Sequence, residues 1–288
     1  MITRRLMAVL AHPDDESLGF GGTLARYSAE GAETTLVTAT RGEGGRFHGH
    51  AQGSAGHPGR AELGRIREAE LREASAVLGI REVTVLDYED KVLDRADHTE
   101  VVAAIVRQVR RARPQVVMTF APDGGYGHPD HIAISQFTTA AIVASADPGF
   151  GAGRRDDLGA PHAVAKLYYL AWSALTWAAY EAAFRKLVSA VDGVTRQATP
   201  WQDWAITTVI DTGAWWPTVW KAVSCHHSQV AAYERLKDLT PEHHRALWGT
   251  QSFYRVFSLV NGGRRSESDL FEGVADAENS LLEGEAGR

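Results

Sequence analysis

A single cysteine, Cys225, is found among 288 residues, so the chain can form no intrachain disulfide and no cysteine-built zinc site. That scarcity fits a reducing compartment. Long hydrophobic runs are also missing, and a membrane helix needs about 20 largely apolar residues. The longest candidate, Leu167 to Phe184, is bracketed or interrupted by Lys166, Glu181, Arg185 and Lys186 and reads as a buried strand followed by a helix. Behind Arg4 and Arg5, the apolar stretch Leu6 to Ala11 is too short for a signal h-region and lacks a small-residue cleavage site. A cytoplasmic protein with no membrane contact is expected. No run of Lys or Arg resembles a phosphate-tracking stripe, and 30 basic against 36 acidic residues leave a formal charge of −6, so nucleic acid is not an expected partner. There are no internal repeats.

What remains is the composition of an ordinary globular protein, 44% hydrophobic and 23% charged. Its first half alternates strand and helix. Strands are expected at Leu6–Leu10, Thr34–Thr40, Val83–Leu86 and Val116–Phe120. Helices are expected from Glu16 to a Gly31 cap, through Leu63, Ile66, Leu71, Ala74 and Leu78, through Val102, Ile105 and Val109, and over Ile132–Ala146. This alternation predicts an α/β fold: a mostly parallel, Rossmann-like sheet with helices on both faces. The second half is less regular, with strands expected at Ala205–Ile210 and Tyr254–Val260 and helices at Trp216–Gln229 and Pro241–Trp248. It reads as remaining core strands and a C-terminal cap. The expected organisation is one catalytic domain over 1–273, with its core in 1–147 and the rest in 148–273, and a mobile acidic tail at 274–288. Gly42 to Arg60 is a long Gly/His-rich loop, where His48, His50 and His57 suit a flexible lid better than a second metal site.

Ligands of such sheets sit beyond the carboxyl ends of the strands. Two clusters fall there. Ala11-His12-Pro13-Asp14-Asp15-Glu16 follows the first strand, and Gly124-Gly125-Tyr126-Gly127-His128-Pro129-Asp130-His131 follows the fourth. Either alone is a fair candidate for a turn with a helix cap, since Asp favours N-cap positions. Together, at two strand ends of one sheet, they point to a metal. His12, Asp15 and His131 give the three protein ligands of a catalytic zinc, which lowers the pKa of bound water toward about 7. Asp14 is placed to take a proton from that water. His128 is placed to polarise a carbonyl or stabilise an oxyanion, with Asp130 fixing its tautomer. Two histidines and one aspartate also accept Fe(II), Co(II) or Mn(II).

The AHPDDE run and the GGYGHPDH run together closely resemble the LmbE-like (PIG-L) family of zinc-dependent deacetylases. Weaker similarity runs through Thr40–Glu43, Arg67–Leu71, His226–Gln229 and Glu267–Phe271. The resemblance implies a Rossmann-like fold, zinc on His12, Asp15 and His131, and Asp14 as general base. It also implies oxyanion stabilisation by His128 with Asp130 behind it, and Tyr126 as a mobile tyrosine that polarises the carbonyl. Arg67 falls where family members hold the polar head of the substrate, and His226 and Gln229 fall in a C-terminal motif that approaches the site. Glu43 and Asp87 are further substrate candidates; Asp87 and Asp90 bond sugar hydroxyls or cap a turn. At Gly44, Gly45 and Arg46 the chain departs from the acidic residues of the mycothiol-type deacetylase, which counts against that mode of recognition.

The expected activity is hydrolysis of an amide, foremost N-deacetylation of an N-acetylglucosamine-type sugar or conjugate, in a protein that can be a homo-oligomer. Amidase action on a non-sugar or thiol-conjugate amide is the alternative, and a non-catalytic sugar-binding module a further one. A two-metal phosphoesterase needs more ligands than the sequence offers. Gly19, Gly21 and Gly22 hint at nucleotide binding but do not fit G-x-G-x-x-G, and Asp14 and Asp15 would set carboxylates against a pyrophosphate. Trp215, Trp216 and Trp220 read as core more readily than as a sugar-stacking wall.

Overall fold

Strand β1 (Arg5–Leu10) is buried from Leu6 to Leu10. Its continuous apolar run is what a strand covered on both faces requires, in contrast to the alternation of a half-exposed one. In the computed structural model, which describes residues 3–274 except 155, 185–187, 192, 230–233, 262 and 264, β1 is the third strand of a seven-stranded sheet. Around it are β2 (Glu33–Thr40), β3 (Glu82–Tyr88), β4 (Val116–Thr119), β5 (Lys166–Leu170), β8 (Thr208–Asp211) and β9 (Thr250–Ser258), in the order β3-β2-β1-β4-β5-β9-β8. The first five strands are parallel. Strand order reverses between β1 and β4, whose register pairs Leu6 with Val116 and Ala8 with Met118. Crevices at such a reversal are where α/β sheets bind ligands.

The helices are α1 (Asp15–Leu18), α2 (Gly21–Ala29), α3 (Arg60–Leu78), α4 (His98–Ala112), α5 (Gly124–Gly127), α6 (Pro129–Ala146), α7 (Ala174–Phe184), α8 (Trp216–Cys225) and α9 (Pro241–Trp248). Sequence dictates their limits. The Asp97 carboxylate accepts the Glu100 amide at 3.0 Å to cap α4, whose buried face is Val101, Val102, Ile105, Val106 and Val109. Its end is set by Arg113 in a left-handed conformation and by Pro114 behind it. α4 packs on α6, and α3 packs on α8 and α2. Right-handed crossovers place these two groups on opposite faces of the sheet.

Leu167–Phe184 is a strand followed by a helix, as expected, and no described helix is long and apolar enough to cross a membrane. Three features differ from the sequence reading. The helix expected from Glu16 is two, α1 and α2, broken at Gly19–Phe20. The helix expected over Trp216–Gln229 stops at Cys225 and resumes as a 3₁₀ turn, His227–Gln229. The added strands are antiparallel, β9 pairing with both β5 and β8, and a separate hairpin, β6 (Val188–Val191) with β7 (Val194–Gln197), was not foreseen. All of the expected 274–288 tail except Val274 lies outside the described residues.

The two halves are joined at Glu267. Its Oε1 accepts Lys166 Nζ at 2.7 Å and Asn261 Nδ2 at 2.9 Å and pairs with Arg255 Nη1 at 2.6 Å. Its Oε2 accepts Tyr168 Oη at 2.7 Å and Thr208 Oγ1 at 2.8 Å. Lys166 is fully buried, and a buried ammonium is tolerated only when paired in this way. Trp216 and Trp220 pack with Trp248, Val219 and Leu247 in a second apolar cluster, and Trp215 packs against the main core. Packing is therefore the role the structure gives these tryptophans.

Candidate active site

At the carboxyl end of β1, the turn through Pro13 folds His12 and Asp15 onto each other. Asp15 Oδ2 accepts the His12 amide at 2.8 Å and the Ala11 amide at 3.2 Å. Beyond β4, His128 is the N-cap of α6 and Pro129 its first residue, so His131 lies on the first turn and points inward. His131 is sandwiched, stacking on Phe120 at 3.9 Å and on His128 at 4.8 Å between ring centroids.

Three side chains converge here. His12 Nδ1 lies 3.2 Å from His131 Nε2 and 3.7 Å from Asp15 Oδ2, and His131 Nε2 lies 3.3 Å from Asp15 Oδ1. The other nitrogens are committed. His131 Nδ1 donates to the Gly124 carbonyl at 3.2 Å. His12 Nε2 faces Asp130 Oδ2 and Asp90 Oδ1, each at 3.1 Å. Both imidazoles thus turn their remaining nitrogens toward the same point, beside a carboxylate. Ligands about 2.0–2.1 Å from a tetrahedral ion stand roughly 3.3–3.4 Å apart, so this donor set fits a metal in spacing and in chemistry. Burial opposes a charge on His12, but Asp130 and Asp90 outweigh it and raise its pKa well above the usual value. Burial likewise acts against charge on Asp15, yet His131 and His12 bring its pKa far below the ordinary range. The site favours a cation at this point. A nitrogen of His128 also lies within 4.8 Å of nitrogens of His12 and His131, so His128 borders the same point. His12 with Asp90 and Asp130 forms another grouping, which is backing for His12, since Asp130 is already occupied by the Lys91 and Leu93 amides at 2.7 and 3.2 Å.

Asp14 stands next to this cluster with φ 102°, a left-handed conformation that costs a non-glycine residue about 1–3 kcal/mol. Its side chain does not cap α1. Arg67 Nη2 instead donates to Asp14 Oδ2 at 3.1 Å and to the Pro13 carbonyl at 2.5 Å, while Nη1 donates to the Gly42 carbonyl at 2.7 Å. Gly42 has φ 63°, and a Cβ there would run into the Arg67 guanidinium, so only glycine suits both backbone and neighbour.

His128 Nδ1 accepts the Asp130 amide at 3.2 Å, which leaves Nε2 as the protonated nitrogen. Burial, with His12 and His131 beside it, lowers its pKa to about 3, so the ring is a neutral N–H donor. The carboxylate of Asp130 thus binds His12, and the pairing with His128 expected from sequence is made by its backbone amide instead. Tyr126, half-buried between Gly125 and Gly127, which both have positive φ, lies 5.3 Å from His131 and 6.0 Å from His128 between ring centroids. Burial and the charges of Asp15 and Asp14 push its phenol pKa up, keeping it a proton donor. A cavity of about 650 Å³ opens beside His128, lined also by Lys91, Arg95, His98, Gln136 and Arg196, large enough for a small molecule.

The remaining candidates divide. Glu43 takes the Asp90 amide at 2.8 Å and Arg60 at 3.0 Å, and its Oε2 is buried with no hydrogen-bond partner among the described residues. Asp87 is away from the cluster, mostly exposed and paired with Arg41. His226 is fully buried against Glu16, and Gln229 spends its amide on the Arg46 carbonyl at 2.7 Å. His48 donates its amide to Ser228, so the 42–60 loop is tied to this segment. Sequence reasoning missed Asp90 as the partner of His12, because nothing in its spacing from the motifs signals it.

A His/Asp group whose spacing fits a metal, at the reversal of a parallel sheet with a further carboxylate alongside, is an arrangement able to activate water. Residues 7–142 match the family model PIG-L, described as GlcNAc-PI de-N-acetylase. The 1D-myo-inositol 2-acetamido-2-deoxy-alpha-D-glucopyranoside deacetylase of Streptomyces avermitilis is 36% identical over 94% of this chain and 98% of its own length. That of Rhodococcus jostii is 37% identical over 80% of this chain and 83% of its own. Among solved structures, a conserved protein of Thermus thermophilus shares 26% identity with a TM-score of 0.62, covering 89% of this chain and 96% of that one. N,N'-diacetylchitobiose deacetylase of Pyrococcus horikoshii has the same fold at 19% identity, TM-score 0.64, over 88% and 84%. The chain belongs to the PIG-L family and is an amide hydrolase.

Proposed function

We propose that the protein is a metal-dependent N-deacetylase of an N-acetylglucosamine-type sugar carried on a polar, inositol-like aglycone. The observation that carries this reading is the convergence of His12, Asp15 and His131 on one point beside the Asp14 carboxylate. The substrate class is supported by similarity over nearly the whole chain to relatives named for an inositol-linked acetamido sugar. That similarity outweighs the departure at Gly44, Gly45 and Arg46. We read residues 1–273 as one catalytic domain, since the seven-stranded sheet draws on both halves.

Zinc on His12, Asp15 and His131, the ion we propose over Fe(II), Co(II) or Mn(II), would supply a Lewis acid and a water acidic enough to react at neutral pH. Asp14, its carboxylate oriented by Arg67, accepts the proton of the attacking water. The Nε2–H of His128 and the phenol of Tyr126 donate to the acetamide oxygen as negative charge develops on it. As the C–N bond breaks, Asp14 returns the proton to nitrogen, giving acetate and a free amine. Asp130 and Asp90 hold His12 in the tautomer that leaves Nδ1 for the metal.

The test is a panel: a glucosaminyl-inositol acetamide, N-acetylglucosamine, diacetylchitobiose and a non-sugar acetamide, with amine and acetate both quantified. Preference for the inositol conjugate by tenfold or more in kcat/KM supports the reading. Equal or better turnover of the non-sugar amide would move the assignment to a general amidase.

A further inference from the structure

His226 lies 210 residues from the first motif, yet its Nε2 is 2.7 Å from Glu16 Oε1, and both side chains are fully buried. Glu16 is fixed on every side. Oε1 also accepts Ser17 Oγ at 2.6 Å, and Oε2 reaches back two residues to accept the amide of Asp14 at 2.9 Å. Asp14 is thus gripped at two points, its carboxylate by Arg67 at 3.1 Å and its amide by Glu16, while its φ of 102° is one that an aspartate does not hold unaided. A buried carboxylate without a partner is costly, and His226 is the imidazole that partners this one. His226 is held in turn. It follows the end of α8, and Ser228 two residues on donates through its amide at 2.6 Å and its hydroxyl at 2.7 Å to Glu70, one turn along α3 from Arg67. The same helix α3 therefore supplies Arg67 to the Asp14 carboxylate and anchors the segment that stabilises the Asp14 amide.

From this arrangement we propose that His226 is a positioning residue for the base: acting through Glu16, it holds Asp14 in the left-handed conformation from which its carboxylate meets Arg67. Its side chain is fully buried and its hydrogen bond goes to Glu16. We propose this role in place of the substrate contact expected of His226, and it rests on Asp14 acting as the base of a deacetylase. Leucine at 226 keeps volume but removes the donor, whereas glutamine places an N–H close to where Nε2 stood. Loss of a hydrogen bond that orients a metal ligand typically costs roughly 10–100-fold in activity, and the same order is expected for one that orients the base.

The experiment uses the full, zinc-loaded chain with the glucosaminyl-inositol acetamide, and compares wild type, H226L and H226Q, alone and with D14N. It also follows exchange of the Asp14 amide hydrogen by NMR in 15N-aspartate-labelled protein. H226L is expected to lower kcat roughly 10–100-fold with KM within about twofold and to speed Asp14 exchange, while H226Q restores most of both. In the D14N background, H226L should lower the residual rate no further. A kcat unchanged in H226L, an effect additive with D14N, or Asp14 exchange equal in wild type and H226L overturns the proposal. If wild type releases no acetate, it is the deacetylase reading that fails, and the exchange arm still decides whether His226 sets the Asp14 backbone.

Discussion

His12 Nδ1 and His131 Nε2 face each other across 3.2 Å, while the opposite nitrogens of both rings are engaged by Asp130, Asp90 and the Gly124 carbonyl. With those nitrogens acting as donors, the facing pair presents two lone pairs to one point, which a shared proton or a metal ion satisfies, and Asp15 Oδ1 stands 3.3 Å from His131 Nε2 beside it. Removing metal should therefore lower thermal stability as well as activity, because binding to the native state alone adds RT ln(1 + [L]/Kd), about 4.1 kcal/mol at 1,000 times Kd. Calorimetry of chelator-treated and zinc-restored protein checks this; equal melting temperatures would argue against a pre-formed site.

His131→Ala and Asp15→Ala should lose bound zinc, while Asp14→Asn keeps it at wild-type stoichiometry. Atomic emission on dialysed protein distinguishes these cases. Retention of one zinc per chain by both ligand variants would place the metal elsewhere.

Gly42→Ala forces a side chain into Arg67 at a backbone φ of 63°. Displacement of Arg67 removes its bond to Asp14, so kcat should drop by an order of magnitude or more, with folding retained. Arg67→Lys should share the defect, because one ammonium cannot span the Gly42 carbonyl, the Pro13 carbonyl and the Asp14 carboxylate as the guanidinium fork does. Steady-state kinetics on both variants is the check, and an unchanged kcat in either contradicts the role given to Arg67.

Glu267→Gln should destabilise the fold by about 3–5 kcal/mol, since it leaves Lys166 and Arg255 without their buried counter-charge. Although burial works against its charge, Lys166, Tyr168, Asn261 and Thr208 lower its pKa to about 2. A carboxylate depressed in the folded state contributes stability above its unfolded pKa, near 4.5, and loses it as pH falls toward 2. Melting curves of wild type and E267Q should thus differ most above pH 5 and draw together toward pH 2. A gap that stays constant over this range would show that the charge is not what holds Glu267.

Much of this site could be read from the chain because its parts are local. His12, Asp14 and Asp15 sit in one turn at the end of β1, whose residues Leu6–Leu10 are all apolar, and His128 and His131 sit three residues apart on either side of Pro129 at the start of α6. Each motif announces both its residues and its place at a strand end. Relations that span the chain carry no such signal. Asp90 belongs to no motif, yet it bonds His12; Glu16 reads as a helix residue until His226 is brought to it; and Asp130 turns to His12 although His128 is closer in sequence. Parallel strands β1 to β5 follow from strand–helix alternation. That alternation breaks down in the second half, so nothing in the residues of β8 and β9 fixes their antiparallel direction. The β6–β7 hairpin is short, and β7 is exposed throughout, so no apolar alternation marks it.

In the proposed mechanism Asp14, beside a metal on His12, Asp15 and His131, drives hydrolysis of an N-acetyl group. Its most direct test is acetate release from a glucosaminyl-inositol acetamide by wild-type and D14N protein at equal zinc content. Wild type should release one acetate per amine formed, and D14N should be slower by at least about 100-fold. Equal rates from the two proteins, or acetate released equally well after zinc is stripped, would contradict it.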